Sequence, residues 1–242
     1  MKKILILKTG TSASVPEIFR LGDFDDWIIS GTQAERECFI TSSPFIGEKL
    51  PETENLSGII ITGSPMMITE NPEWLKSVSG WLRESFTKKI PTLGICFGHQ
   101  LIALTLGGKI EFHPHGTEIG TVKINLRPGA LKNPLFYNIP DQIYAHVVHS
   151  QSIKKLPVEA EILAYNDFES HHAFVINSHI WGVQFHPEFD KEITKTIIKV
   201  LQNDLEKEGL SVQEVLDSVD NAPYGPAILK NFFNIAEKFR QK

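Results

Sequence analysis

Cysteine is scarce in this chain of 242 residues: Cys38 and Cys96 are the only two. Two thiols cannot build a disulfide framework, so a reducing cytoplasmic setting is the expectation. Long apolar runs are missing too. No stretch approaches the ~18–20 residues of a membrane helix. The apolar amino-terminal run 4–7 is shorter than the roughly 7–15 residues of a secretory core, and it reads as a first strand. Positive charge is not in excess: 24 Lys+Arg against 29 Asp+Glu give a formal net charge of −5, which argues against a nucleic-acid partner. The segment 58–65 lacks both a Gly-x-Gly-x-x-Gly pattern and a Gly-Lys-Ser/Thr ending, so no nucleotide cofactor is expected. What is present is 41% hydrophobic and 22% charged residues, the composition of a packed globular protein.

Short apolar runs at 4–7, 58–61, 92–95 and 183–185 are continuous rather than alternating, which predicts strands covered on both faces, as in a parallel sheet. Between them, Trp74, Leu75, Val78, Trp81, Leu82 and Phe86 recur at helical steps after a start at Asn71-Pro72-Glu73. A second helix is expected from Leu101 until Gly107-Gly108 stops it. Strand-then-helix alternation implies a doubly wound α/β fold with a mostly parallel sheet flanked by helices. The middle differs: Val122, Ile124 and Leu126 alternate with Lys123 and Asn125. With short strands expected at 143–148, 162–165 and 173–176, residues of roughly 110–180 are read as a small antiparallel extension. Residues 204–222 are polar and acidic, and 223–240 carry one more amphipathic helix. The expected organisation is an α/β domain over 1–203 and a helical extension over 204–242 packed on the same domain.

The most informative stretch is Gly94-Ile95-Cys96-Phe97-Gly98-His99-Gln100. An apolar strand ends, a cysteine sits between two glycines, and a helix begins at once. This is the logic of a nucleophile elbow, in which the turn is so tight that its neighbours must lack a Cβ. A sulfur above a helix amino terminus is favoured as thiolate, and the Phe97 N–H points towards an oxyanion formed on attack. A thiol needs a base. Far downstream, Gly182-Val183-Gln184-Phe185-His186-Pro187-Glu188 ends another apolar run on a histidine, with a carboxylate two residues on. Glu188 can orient His186, completing a nucleophile–base–orienter triad. In a doubly wound sheet both strands can end at one carboxyl edge, where Cys96 and His186 would meet.

These two motifs together resemble the signatures of the class I, triad-type glutamine amidotransferases, nearest to the glutaminase unit of GMP synthase. The resemblance implies that Cys96 attacks the γ-carboxamide of L-glutamine to form a thioester, with His186 moving the proton and Glu188 holding His186. It also implies an oxyanion hole from the Phe97 N–H and the loop Gly63-Ser64-Pro65, where Ser64 replaces the more usual glycine. Gln100 and Gly63 take substrate-binding positions. His149-Ser150-Gln151-Ser152 is similar to a stretch lining the same pocket, although its second and third residues depart from the GMP synthase form, and His149 and Ser150 are carried as substrate-binding residues. Ammonia made here would need an acceptor, so a separate synthetase subunit is the implied partner.

Other readings stay open. The same thioester chemistry would serve a γ-glutamyl peptidase acting on γ-glutamyl peptides or conjugates, and a retired enzyme could persist as a non-catalytic binding module. His113-Pro114-His115 and His171-His172 could offer metal ligands, but no cysteine or carboxylate cluster accompanies them at closed-site spacing. Loop or surface positions and no metal are expected. His99 divides between helix packing and substrate contact. Cys38 is read as core packing.

Overall fold

A computed structural model describes residues 2–241; residues 1 and 242, at the ends of the two expected segments, lie outside it. The strands are β1 (Lys3–Leu7), β2 (Phe39–Ser42), β3 (Leu56–Ile61), β4 (Thr92–Ile95), β5 (Lys109–Phe112), β6 (Glu118–Leu126), β7 (Gln142–His149), β8 (Gln151–Lys155), β9 (Ala160–Tyr165), β10 (Ala173–Ile176) and β11 (Ile180–Val183). The helices are α1 (Pro16–Phe19), α2 (Phe24–Thr32), α3 (Glu73–Thr87), α4 (Phe97–Thr105), α5 (Lys191–Val200), α6 (Gln202–Lys207), α7 (Val212–Ser218) and α8 (Gly225–Arg240).

Nine strands form one sheet in the order β2-β1-β3-β4-β11-β10-β9-β6-β7, and β5 pairs with β8 in a separate ribbon. The first five of these are mutually parallel. The antiparallel strands β10, β9, β6 and β7 continue that same sheet, so the expected extension is an enlargement of the main sheet, and only β5–β8 stands apart from it.

Why β1 carries no polar alternation is plain from its packing. Ile4 and Ile6 enter a core with α2 and α8, whereas Leu5 and Leu7 enter a second core with α3 and α4. A strand with helices on both faces must be apolar on both. Helix α3 buries Leu75, Val78, Leu82 and Phe86 along one stripe. Helix α8 buries Ile228, Leu229, Phe232 and Ala236 in the first core, where Phe232 meets Trp181 of β11 edge-to-face at 6.3 Å. Helices α5 to α7 share a smaller cluster of Ile198, Leu205 and Val219, against which Ile119 of β6 packs. Across the polar segment 204–222 run the end of α6 and the whole of α7. Among the described residues no helix is long and apolar enough to cross a membrane.

Candidate active site

Strand β4 ends at Ile95, and α4 starts at Phe97, which leaves Cys96 alone in the turn at φ 50° and ψ −99°. Positive φ costs a non-glycine residue on the order of 1–3 kcal/mol, so the surrounding structure must impose it. The glycines on either side show how it does so. A Cβ at Gly94 would run into the carbonyl of Gly98, and one at Gly98 into the carbonyl of Ile61. The helix thus sits directly on the sheet, and the cysteine is forced up from its edge. Strand β11 lies beside β4 with Val183 opposite Ile95, and the Cys96 N–H donates to the Val183 carbonyl at 2.8 Å. Sheet pairing is what carries the distant histidine segment to the elbow.

The second segment is placed differently from the sequence expectation. The strand spans Ile180–Val183, not 183–185, so β11 ends three residues before His186. Phe185 is fully buried without being in a strand, which is why its apolar character extended the expected run. The His186 N–H donates to the His146 carbonyl at 2.8 Å, which pins the turn. Its Nδ1 lies 2.8 Å from Glu188 Oε1, and both side chains are buried. Burial opposes the imidazolium, but the Glu188 carboxylate and the Cys96 sulfur outweigh it and raise the pKa of His186 to about 10. The other nitrogen, Nε2, has no oxygen or nitrogen partner among the described residues and is left to the Cys96 sulfur. The ring stacks on Phe189 at 3.9 Å and 7°. Cys96 Sγ lies 3.7 Å from the Val148 carbonyl. Cys96 and His186 line one cavity of about 310 Å³.

The sequence pattern of the family Glutamine amidotransferase class-I matches residues 28–206. The chain belongs to the class I glutamine amidotransferases. It is similar to a subunit of the glutamine-hydrolysing GMP synthase of Methanocaldococcus jannaschii, 33% identical over 159 residues that cover 63% of this chain and 78% of that protein. It is also similar to γ-glutamyl peptidase 5 of Arabidopsis thaliana, 29% identical over 163 residues, 65% of each chain. Among solved structures, a glutamine amidotransferase from Thermotoga maritima shares the fold with a TM-score of 0.74 at 23% identity, covering 100% of both chains.

Within this amidotransferase the remaining expected residues divide. Ser64, His149 and Ser150 line the cavity with Cys96. Phe97 is the first residue of α4, whose N–H an α-helix leaves without an intrahelical acceptor. Gly63 lies against the His186 ring: a Cβ there would stand 2.9 Å from His186 Cε1. Ser64 keeps the loop in place through its hydroxyl, which donates to the Thr9 carbonyl at 2.9 Å and accepts the Met66 N–H at 3.1 Å. Gln100, expected to hold substrate, has its amide engaged away from the cavity in this structure. Its Nε2 donates to the Gln151 carbonyl and to Gln184 Oε1, each at 3.0 Å, and it is absent from the cavity lining. His99 is fully buried, 4.8 Å from the Phe174 ring, and burial holds its pKa well below the usual histidine value; packing is its role here.

Two further features could not be read from the motifs. Glu118, at the start of β6, is buried; its Oε2 is 2.8 Å from His149 Nε2 and 3.3 Å from His172 Nε2, and Asn166 donates to its Oε1 at 2.6 Å. Burial works against this carboxylate, but its histidine neighbours hold its pKa far below the usual range. His172 lies in a loop, as one half of the expectation has it, just before β10, but it is fully buried as part of this group. The structure gives no group of three or more His, Cys, Asp or Glu able to hold a metal among the described residues. The second feature is Phe189, which fixes the face of the His186 ring. Its only sequence signal is its place immediately after Glu188.

Proposed function

We propose that this chain hydrolyses the γ-carboxamide of L-glutamine through a covalent thioester on Cys96. The observation that carries the reading is a buried imidazole, held by Glu188 on one nitrogen and left to the Cys96 sulfur on the other, in one cavity with that cysteine at positive φ. The sulfur attacks the amide carbon, and the oxyanion is met by the Phe97 N–H and the Ser64 loop. His186 gives its proton to the leaving nitrogen, so ammonia departs as the C–N bond breaks. Water then adds to the thioester, giving up a proton to His186, and glutamate leaves as sulfur regains its charge. Glu188 keeps the ring oriented and stabilises its charge. Because relatives are named as subunits of glutamine-hydrolysing GMP synthases, the released ammonia is assigned to a separate synthetase subunit.

A second reading, a γ-glutamyl peptidase, is favoured by the apolar walls of the cavity and by the Arabidopsis relatives of that name. Both readings share the nucleophile. The test is glutamate and ammonia release from glutamine by the purified chain. Release is expected, with His186→Ala slower by about 10²–10⁴-fold. A His186→Ala protein as fast as wild type contradicts the role of the base.

A further inference from the structure

His186 delivers its proton to the departing nitrogen, so whatever that nitrogen carries must lie next to the His186 ring. That neighbourhood is strongly apolar. Phe189, stacked on the imidazole, meets Trp27 edge-to-face at 5.5 Å and Phe24 at 6.5 Å. Ile18 of α1 and Ile197 of α5 pack on this aromatic cluster. The Trp27 indole N–H is turned to the Leu21 carbonyl at 2.7 Å, so no polar edge is left for a ligand. Ile18, Trp27, Phe189 and Ile197 all line the cavity that holds Cys96. Ammonia gains nothing from such a wall, because it has no apolar surface to bury.

The charges of the cavity are one-sided. Among the described residues neither lysine nor arginine lines it, whereas Asp204 and Glu208 do. Asp204 is paired with Lys207 at 2.8 Å, but Glu208 accepts only the neutral donors of Thr117, its N–H and hydroxyl, each at 3.0 Å. A leaving group bearing its own carboxylate would find no lysine or arginine here, and the one ring cation, His186, is committed to Glu188 and to the leaving nitrogen.

We propose that the wall formed by Ile18, Trp27, Phe189 and Ile197 is a leaving-group subsite, which takes γ-glutamyl amides of apolar, carboxylate-free amines. This rests on Cys96 being the nucleophile of a γ-glutamyl amide hydrolase and takes up the second reading above, in which glutamine is not the preferred substrate. The sulfur bonds to the γ-carbonyl carbon, the C–N bond breaks, and the amine leaves with the proton from His186. Water then supplies hydroxide to the acyl carbon and its remaining proton to His186, and glutamate is released. No further reactant is needed.

The experiment compares three compounds by glutamate release: glutamine, γ-glutamyl-n-pentylamide and γ-glutamylnorleucine, which is the pentylamide with one added carboxylate. The pentylamide is expected to exceed both others in kcat/KM by at least about tenfold, the scale on which an apolar pocket discriminates. Ile197→Asn and Ile18→Asn should each lower the pentylamide-to-glutamine ratio by about tenfold; a ratio within one protein is insensitive to the fraction folded. Glutamine turned over as fast as the pentylamide overturns the subsite, as does a ratio that neither substitution moves. Equal cleavage of γ-glutamylnorleucine overturns the exclusion of carboxylates. If glutamine is hydrolysed without preference for the pentylamide, only the subsite falls. If none of the three releases glutamate and none acylates Cys96, the nucleophile reading fails and the subsite with it.

Discussion

Cys96 is held in a conformation it would not choose. Its φ of 50° follows from Gly94 and Gly98 packing backbone against backbone, so the strain belongs to the position and not to the thiol. Glycine adopts this region freely, while alanine does not. Cys96→Gly is therefore expected to unfold at higher denaturant than Cys96→Ala, by about 1 kcal/mol, although neither hydrolyses substrate. Equal stabilities would mean that the turn relaxes when sulfur is removed. At His186 the decisive neighbour is Glu188, whose charge helps raise the ring pKa to about 10 despite burial. A raised value means that the ion pair's contribution to stability is complete below the ring's ordinary value and fades as pH climbs towards the folded value. Proton donation to the leaving nitrogen is lost only as pH passes the folded value. The alkaline limb of kcat/KM should therefore lie near pH 10, and Glu188→Gln should move it towards acid by on the order of 1–3 units. An unmoved limb assigns the ionisation to another group.

At the scale of elements, the site depends on β4 and β11 lying side by side, and β11 is braced from below. Trp181 of β11 is fully buried against Phe232 of α8, and its indole N–H donates to Asn133 Oδ1 at 2.9 Å. Helix α8 contributes four buried residues to the core beneath the parallel strands, so it behaves as a layer of the domain. Phe232→Ala removes a fully buried ring and should cost about 3–5 kcal/mol in a chemical denaturation series. A loss below about 1 kcal/mol would show α8 to be a loosely attached appendage. Helices α5 and α6 supply Ile197, Val200 and Leu205 to the cavity wall, with Leu201 between them, so this segment shapes what reaches the sulfur.

For the whole molecule, what could be read from the chain was whatever had a local cause. Helix α3 begins at Glu73, next to the expected Asn71-Pro72-Glu73 start, because proline punctuates a helix locally. The elbow was legible because a cysteine between close-packed glycines leaves a compact pattern. Strand β11 was misplaced because apolar burial does not distinguish a strand from the turn that follows it, and Phe185 is buried in that turn. Glu118 was invisible because its partners, His149, Asn166 and His172, are joined to it only by the fold. For Gln100 the motif position fixes its place on α4, while Gln151 and Gln184, brought up from other elements, hold its amide in this structure. The central claim is that sulfur and imidazole, joined only by the folding of the sheet, act together on one γ-glutamyl carbonyl. Its most direct measurement is acid quenching of the protein during turnover of glutamine, followed by mass spectrometry of the Cys96 peptide. A γ-glutamyl adduct on Cys96 in wild type, absent in Cys96→Ala, is expected; turnover with no adduct on Cys96, or undiminished turnover by Cys96→Ala, would contradict it.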